Sequence, residues 1–252
     1  MSYRITVPEG RPERSPSRQI RQGVSMSSSN TPQDVLYVQS GRRPRPAGRV
    51  DFTFMYAAHD AFTRDLRRLA DAVEAGRTAE AAVRAGWATF KNQLHFHHTA
   101  EDNWLWPALR EKVTRPDETS VLDAMEAEHL LIDPLLFLVD ARITGDDLDG
   151  LADGVGALAS TLTAHMEREE ADALPLVEAY LGPDGWAEFG KAAGKSEGLR
   201  GAAELFPWLL EGAPAEVSTR VLGMLPPPAR LAYRVLWRPG YARTPRWDTA
   251  TV

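Results

Sequence analysis

The segment His95-Phe96-His97-His98-Thr99-Ala100-Glu101-Asp102-Asn103-Trp104-Leu105-Trp106-Pro107 concentrates metal-capable side chains within what otherwise reads as an apolar helix face. His97 and Glu101 are four residues apart, so on a helix they stand one above the other. A second copy lies downstream, His165-Met166-Glu167-Arg168-Glu169-Glu170, followed by Ala171-Asp172-Ala173-Leu174-Pro175. Both copies read His, three residues, Glu, an acidic neighbour, and a Pro six residues after the Glu. Two lone histidines, His59 and His129, precede the copies by similar distances. The pattern implies two antiparallel helix pairs, each offering one His and one His-x-x-x-Glu.

The flanking periodicity supplies the helices. Met55, His59, Phe62, Leu66, Leu69 and Val73 recur at steps of three and four, which predicts a first helix over about 52–75. Gly76 ends it, and Thr78 is placed to cap the next. The second helix carries Val83, Trp87, Phe90, Leu94, His97, Glu101, Leu105 and Ala108 on one stripe, which selects His97 over His98. Arg115-Pro116-Asp117-Glu118 reads as a turn and helix start. The third helix presents Leu122, Met125, His129, Ile132, Leu136 and Val139, with a kink expected at Asp133-Pro134. Gly145-Asp146-Asp147 reads as the next stop and cap. The fourth helix presents Leu151, Val155, Leu158, Leu162, His165 and Glu169, and stops at Gly182-Pro183. The fold expected is all-α: an antiparallel up-down-up-down four-helix bundle over 51–182 with its polar cluster facing inward.

Residues 1–50 are rich in Arg, Ser, Pro and Gly and read as a flexible, disordered N-terminal tail, interrupted by Val35-Leu36-Tyr37-Val38. Met26 stands as an alternative start. Residues 183–252 combine Trp186, Phe206-Pro207-Trp208, Pro226-Pro227-Pro228, Tyr233, Trp237, Tyr241 and Trp247, and read as a helical, aromatic C-terminal extension packed on the bundle.

The chain has 252 residues and a net charge of −6. That length can bury a sizeable core. The mild acidity argues against a nucleic-acid binder, which wants a basic surface. With no cysteine, disulfides, thiolate metal sites and Cys nucleophiles are excluded, leaving His and carboxylates as the ligand vocabulary. No early apolar run resembles a signal peptide and no stretch approaches a membrane span, so a soluble cytoplasmic protein is expected.

Six side chains fall on the apolar stripes at one level of the shared core: His59, His97, Glu101, His129, His165 and Glu169. Burying two carboxylates without compensation costs several kcal/mol each, so they require cations, and metal ions supply them. Two metals fit the donor count better than one. Two glutamates from opposing helices can each bridge ions held about 3.5–4 Å apart. Of roughly twelve octahedral positions, four imidazoles, two bridging carboxylates and one oxo or hydroxo bridge leave about two open.

The order, spacing and repeat of these residues, with Leu105-Trp106-Pro107 and Leu174-Pro175 closing each copy, resemble the hemerythrin-like (HHE cation-binding) family, including bacterial members with a C-terminal extension. The resemblance covers about residues 51–181. It implies a four-helix bundle around two iron ions (Fe2+/Fe3+), oxo- or hydroxo-bridged, with Mn or Zn as alternatives. Glu101 and Glu169 would bridge, and the four histidines would be terminal ligands. The oxygen-carrying hemerythrins use five histidines, with His-x-x-x-His on the third helix and an Asp on the fourth. Here the third helix has His129 alone, with Asp133 four residues later and Met125 four earlier, and Glu169 replaces the Asp. A more open, redox-active site is therefore expected instead of reversible O2 carriage. Tyr56, Asp133 or water are the candidates for the missing donor. His98 reads either as part of an exposed face, bonded to Asp102, or as a proton carrier near the site. Asp102 and Glu170 read either as acceptors that orient ligating imidazoles or as surface groups.

Three functions follow. The first is a di-iron oxidoreductase with catalase-like activity, consuming peroxide or other reactive oxygen and nitrogen species. The second is a carrier or sensor that binds O2, NO or iron without turnover. The third is a structural protein in which metal loading leaves the melting temperature unchanged. The partners expected are small molecules (O2, H2O2, NO) and an electron-donor protein, with no nucleic acid and no membrane. The oligomeric state expected is monomer or homodimer.

Overall fold

The computed structural model describes residues 48–145 and 148–247, and every regular element among them is helical. The expectations for the N-terminal tail up to residue 47, for Val35–Val38, for the start at Met26 and for a cap at Asp146-Asp147 lie outside the described residues.

Helix α1 (Thr53–Glu74) ends where Gly76 turns into the left-handed region at φ +67°. The amide of Gly76 reaches Val73 O and that of Arg77 reaches Ala72 O, so two of the last carbonyls are satisfied. Helix α2 (Ala81–Ala100) begins after Glu80 with no side-chain cap. Thr78, expected as its cap, is instead buried two residues earlier, and its carbonyl accepts from Arg84 Nε. The chain continues through a π turn (Glu101–Leu105) into α3 (Trp106–Arg110). Helix α4 (Pro116–Gly145) runs on as helix through Pro134. Helix α5 (Leu151–Arg168) starts from Gly150, a left-handed residue, with no side-chain cap. It leads into a π turn (Glu169–Ala173), the short α6 (Leu174–Leu176) and a further π turn (Val177–Leu181). Helix α7 (Gly182–Leu210) is broken at Gly198. Then come α8 (Ala215–Met224), α9 (Pro227–Ala232), a π turn (Tyr233–Trp237) and α10 (Arg238–Ala242).

The four π turns share one cause. The amides of Trp106, Leu174, Gly182 and Arg238 each bond five residues back, and in each case the next residue is proline. Proline has no N–H, and its ring collides with the carbonyl four residues earlier in a regular helix. Widening the preceding turn by one residue relieves the collision while keeping the chain helical. Two of these turns begin on Glu101 and Glu169, so the Pro six residues after each Glu shapes the backbone that carries it.

The long helices pack in the order α1–α2–α4–α5, with α5 returning to α1. Their apolar faces form two clusters. One gathers Phe62, Leu66, Phe90, Leu94, Ile132, Val139, Leu158 and Leu162. The other gathers Phe52, Met55, Leu105, Trp106, Leu122, Met125, Leu174 and Val177. His59, His97, His129 and His165 lie along their helices between members of the first cluster and members of the second.

The C-terminal segment is fastened to α1 and α2. Trp208 is buried against Phe62, ring centroids 5.0 Å apart, and its Nε1 donates to Asp65 Oδ2 at 2.8 Å. Asp65 also accepts from Arg64 Nε at 2.8 Å. Farther along, the Trp247 amide reaches Ala82 O at 2.8 Å. Its ring lies so close to Gly86 that a Cβ there would sit inside it. Replacing Asp65 by Ala is expected to lower stability by about 1.5–3 kcal/mol, because charge-assisted bonds are lost and a buried indole N–H is orphaned. Urea unfolding of Asp65→Ala against the parent chain measures this.

Candidate metal centre

The expected donors come from four elements. His59 stands in the first half of α1, His97 in the last turn of α2 and Glu101 at the head of the π turn that follows. His129 lies within α4, His165 in the last turn of α5, and Glu169 at the head of the second π turn. All six side chains are buried or nearly so, from 0 % exposed for His59 to 11 % for His97. Donor atoms of His59, His97 and Glu169 lie within 4.8 Å of one another, as do those of Glu101, His165 and Glu169. A further trio, His98, His129 and His165, is equally close.

Three carboxylates hold three of the rings from outside. His59 Nδ1 is 2.6 Å from Glu170 Oε1, His129 Nδ1 is 2.9 Å from Asp102 Oδ1, and His165 Nδ1 is 3.0 Å from Glu128 Oε2. In a neutral ring, a proton on Nδ1 suits each of these contacts and leaves Nε2 facing inward with a lone pair. The inward atoms are crowded yet poorly matched to one another. His59 Nε2 is 3.0 Å from Glu169 Oε2, and His97 Nε2 is 3.2 Å from Glu101 Oε1, but neither pair has hydrogen-bond geometry. His129 Nε2 and His165 Nε2 stand 3.2 Å apart, where two lone pairs would repel. All four oxygens of Glu101 and Glu169, and Nε2 of His59, His97 and His98, are buried without a hydrogen-bond partner. Such groups are rare in folded proteins because each forfeits its solvation. Donors that converge without bonding each other are aimed at something between them, and their chemistry, imidazole with carboxylate, suits a first-row divalent cation.

Burial and neighbouring charges act unevenly on these groups. Burial pulls the His59 pKa down, but the negative charges of Glu169 and Glu170 outweigh it and raise it to about 9. Burial likewise opposes ionisation of Glu169, but His59 and the other imidazoles outweigh it, and its pKa falls to about 2. Glu101 gets no such help. Burial, then the charges of Glu169 and Asp102, push its carboxyl well above the usual range. Burial holds His97 down to about 3, and it also lowers His98 and His129.

Other expectations need correction. His98 does not lie on an exposed face bonded to Asp102. It is 6 % exposed, and Asp102 reaches across to His129 instead. His95, by contrast, is exposed. Asp133 is exposed on α4 and belongs to none of the donor groups, because Ile132 takes the inward position beside it. Tyr56 is half-buried and meets Phe52 edge-on, centroids 6.4 Å apart, in the second apolar cluster. Asp102 and Glu170 each lie within hydrogen-bond distance of an imidazole, His129 and His59 respectively. Glu128 was missed, although it adjoins His129 in the chain, because its partners, His165 and Arg168, lie on another helix. A cavity of about 740 Å3 lies apart from this cluster, in the C-terminal segment, lined by Arg234, Arg238 and Tyr241 among others.

Losing an outer acceptor typically weakens metal affinity about 10–100-fold. Glu128→Ala and Glu170→Ala are each expected to show that loss in a cobalt(II) titration. Asp133→Ala, on the exposed face, is expected to match the parent chain.

The comparisons with known proteins agree with this geometry. The model of the Hemerythrin HHE cation binding domain matches residues 50–177, just over half of the chain. No curated protein and no solved structure matches. The matched span contains every donor described above, and the chain belongs to the hemerythrin HHE cation binding domain family, whose members bind metal.

Proposed function

We propose that the chain is a non-haem di-iron protein that disproportionates peroxide or otherwise consumes small reactive oxygen and nitrogen species. In this reading residues 51–182 form an antiparallel four-helix bundle, extended by 183–252. His59, His97, His129, His165, Glu101 and Glu169 would hold the metal, the histidines as terminal ligands and the two glutamates as bridges. The observation that carries it is the pair of buried carboxylates whose four oxygens have no hydrogen-bond partner and face inward imidazoles. Iron bound there would supply one-electron redox chemistry, cycling between Fe2+ and Fe3+.

The rest is supplied by the chain itself. Glu170, Asp102 and Glu128 fix the ring orientations, so the donor atoms need little reorganisation on loading. The apolar clusters on either side restrict the site to small molecules and keep bulk water away from it. Disproportionation, 2 H2O2 to 2 H2O and O2, oxidises one peroxide and reduces the other. It requires no separate electron donor, whereas reduction of other oxidants would draw electrons from a partner protein. No helix of the described residues is long and apolar enough to cross a membrane, and a cytoplasmic location is part of the proposal.

The near-complete burial of the donors supports a second reading, a protein that binds O2, NO or iron without turnover. One assay separates the two. Iron-loaded protein is expected to evolve O2 from peroxide, and His97→Ala to lose most of that rate; equal rates would remove the enzyme reading. Stable ligand-bound visible spectra without turnover would favour the second. In either case iron should raise the melting temperature of the parent chain, since it binds only the folded state.

A further inference from the structure

The donors of the cluster are not shared out as the sequence repeat suggests. Consecutive residues on a helix point about 100° apart, so His97 and His98 address different halves of the cluster. His97 lies with His59 and Glu169, and His98 lies with His129 and His165. His98 is buried, and its Nε2 has no hydrogen-bond partner. Its ring lies flat on that of His129, centroids 3.9 Å and planes 12° apart, and edge-on to His165 at 5.4 Å. The corresponding position in the second copy is Met166, also buried, so only one half gains an imidazole. Helix α4 offers no further donor, because Met125 is committed to the apolar cluster and Asp133 faces outward.

We propose that His98 is a seventh donor: it gives a third imidazole to the cation held by His129 and His165, while His59 and His97 hold the other. The proposal rests on the cation-pair reading above. A ring needed only for packing would have no reason to bury a nitrogen without a partner. The third imidazole of this half comes from α2, adjoining His97 in the chain. With five imidazoles, the open positions on an octahedral pair fall from about two to about one, so the site accepts one small oxidant molecule at a time and is unsymmetrical.

The test uses the full chain and cobalt(II) or zinc(II), and it does not depend on activity. The parent chain is expected to bind two cations, with five imidazoles per pair by X-ray absorption of the zinc-loaded protein; four would overturn the proposal without any variant being made. His98→Phe keeps a ring against His129 but removes the nitrogen. It is expected to bind one cation as the parent does and the second more than about 100-fold more weakly, beyond the loss typical of an outer partner. Two cations bound to His98→Phe with parental affinity would overturn the proposal, even if His98→Ala binds poorly, because the ring would then act by packing. A parent chain that binds fewer than two cations would instead bring down the cation-pair reading and this proposal with it, before any variant is compared.

Discussion

Two carboxylates sealed between apolar layers are the constraint on which the centre of this molecule depends. Glu101 and Glu169 are each 0 % exposed, and an ionised carboxylate removed from water is costly unless positive charge meets it. Protons alone offer a partial answer. His59 favours the ionised form of Glu169, and burial together with that negative charge pushes the Glu101 carboxyl well above its usual range. Burial also holds His97, His98 and His129 below the usual imidazole range. A divalent pair would let both carboxylates ionise and would engage every inward lone pair at once. The outer carboxylates, Asp102, Glu128 and Glu170, make sense on the same terms. They are more exposed than the donors they hold, so they lend negative charge to the imidazoles at lower desolvation cost.

The backbone is adapted to this arrangement at two equivalent points. A residue at the head of a π turn is followed by a wider turn than an α-helix allows, which shifts everything after it around the helix axis. Asp102, immediately after Glu101, thereby reaches His129 on α4, and Glu170, immediately after Glu169, reaches His59 on α1. The proline six residues beyond each Glu therefore bears on which histidine each following acid supports. The two halves match in this respect and differ in another. Glu128 precedes His129 and holds His165, whereas Ala58 precedes His59, leaving His97 without such a carboxylate.

Much of the helical layout was readable because apolar side chains at steps of three and four can be buried in only one way, and His59, His97, His129 and His165 share their stripes with those side chains. The family was readable for the same reason, since the spacing of the two copies survives any detail of packing. What escaped had a physical cause in each case. His98 was assigned outward because a stripe allots each helix a single inward direction, yet at the point where several helices converge, neighbours 100° apart can both face the interior. Glu128 was overlooked because its partner lies 37 positions away in sequence. Thr78 was expected to cap α2, but it is buried and helix formation starts beyond it, after Glu80. The left-handed Gly150 begins α5 without a capping side chain.

Asp65 shows what the same chain does with a buried carboxylate that is meant to stay as it is. Its side chain is as inaccessible as those of Glu101 and Glu169, and it stands on α1 less than two turns beyond His59. Here the carboxylate is fully met. Arg64 and Arg68 approach it at 2.8 and 3.3 Å, and the Trp208 indole N–H closes the other oxygen. Permanent cations from the protein leave no place for an external one, and they serve to clamp the C-terminal segment to the helix. Among the described residues no such guanidinium meets Glu101 or Glu169, only imidazoles whose nitrogens approach without bonding. Within one helix of each other, the chain thus holds a carboxylate neutralised by its own side chains and a pair that is not. That contrast separates a structural ion pair from a site organised for something brought in from outside.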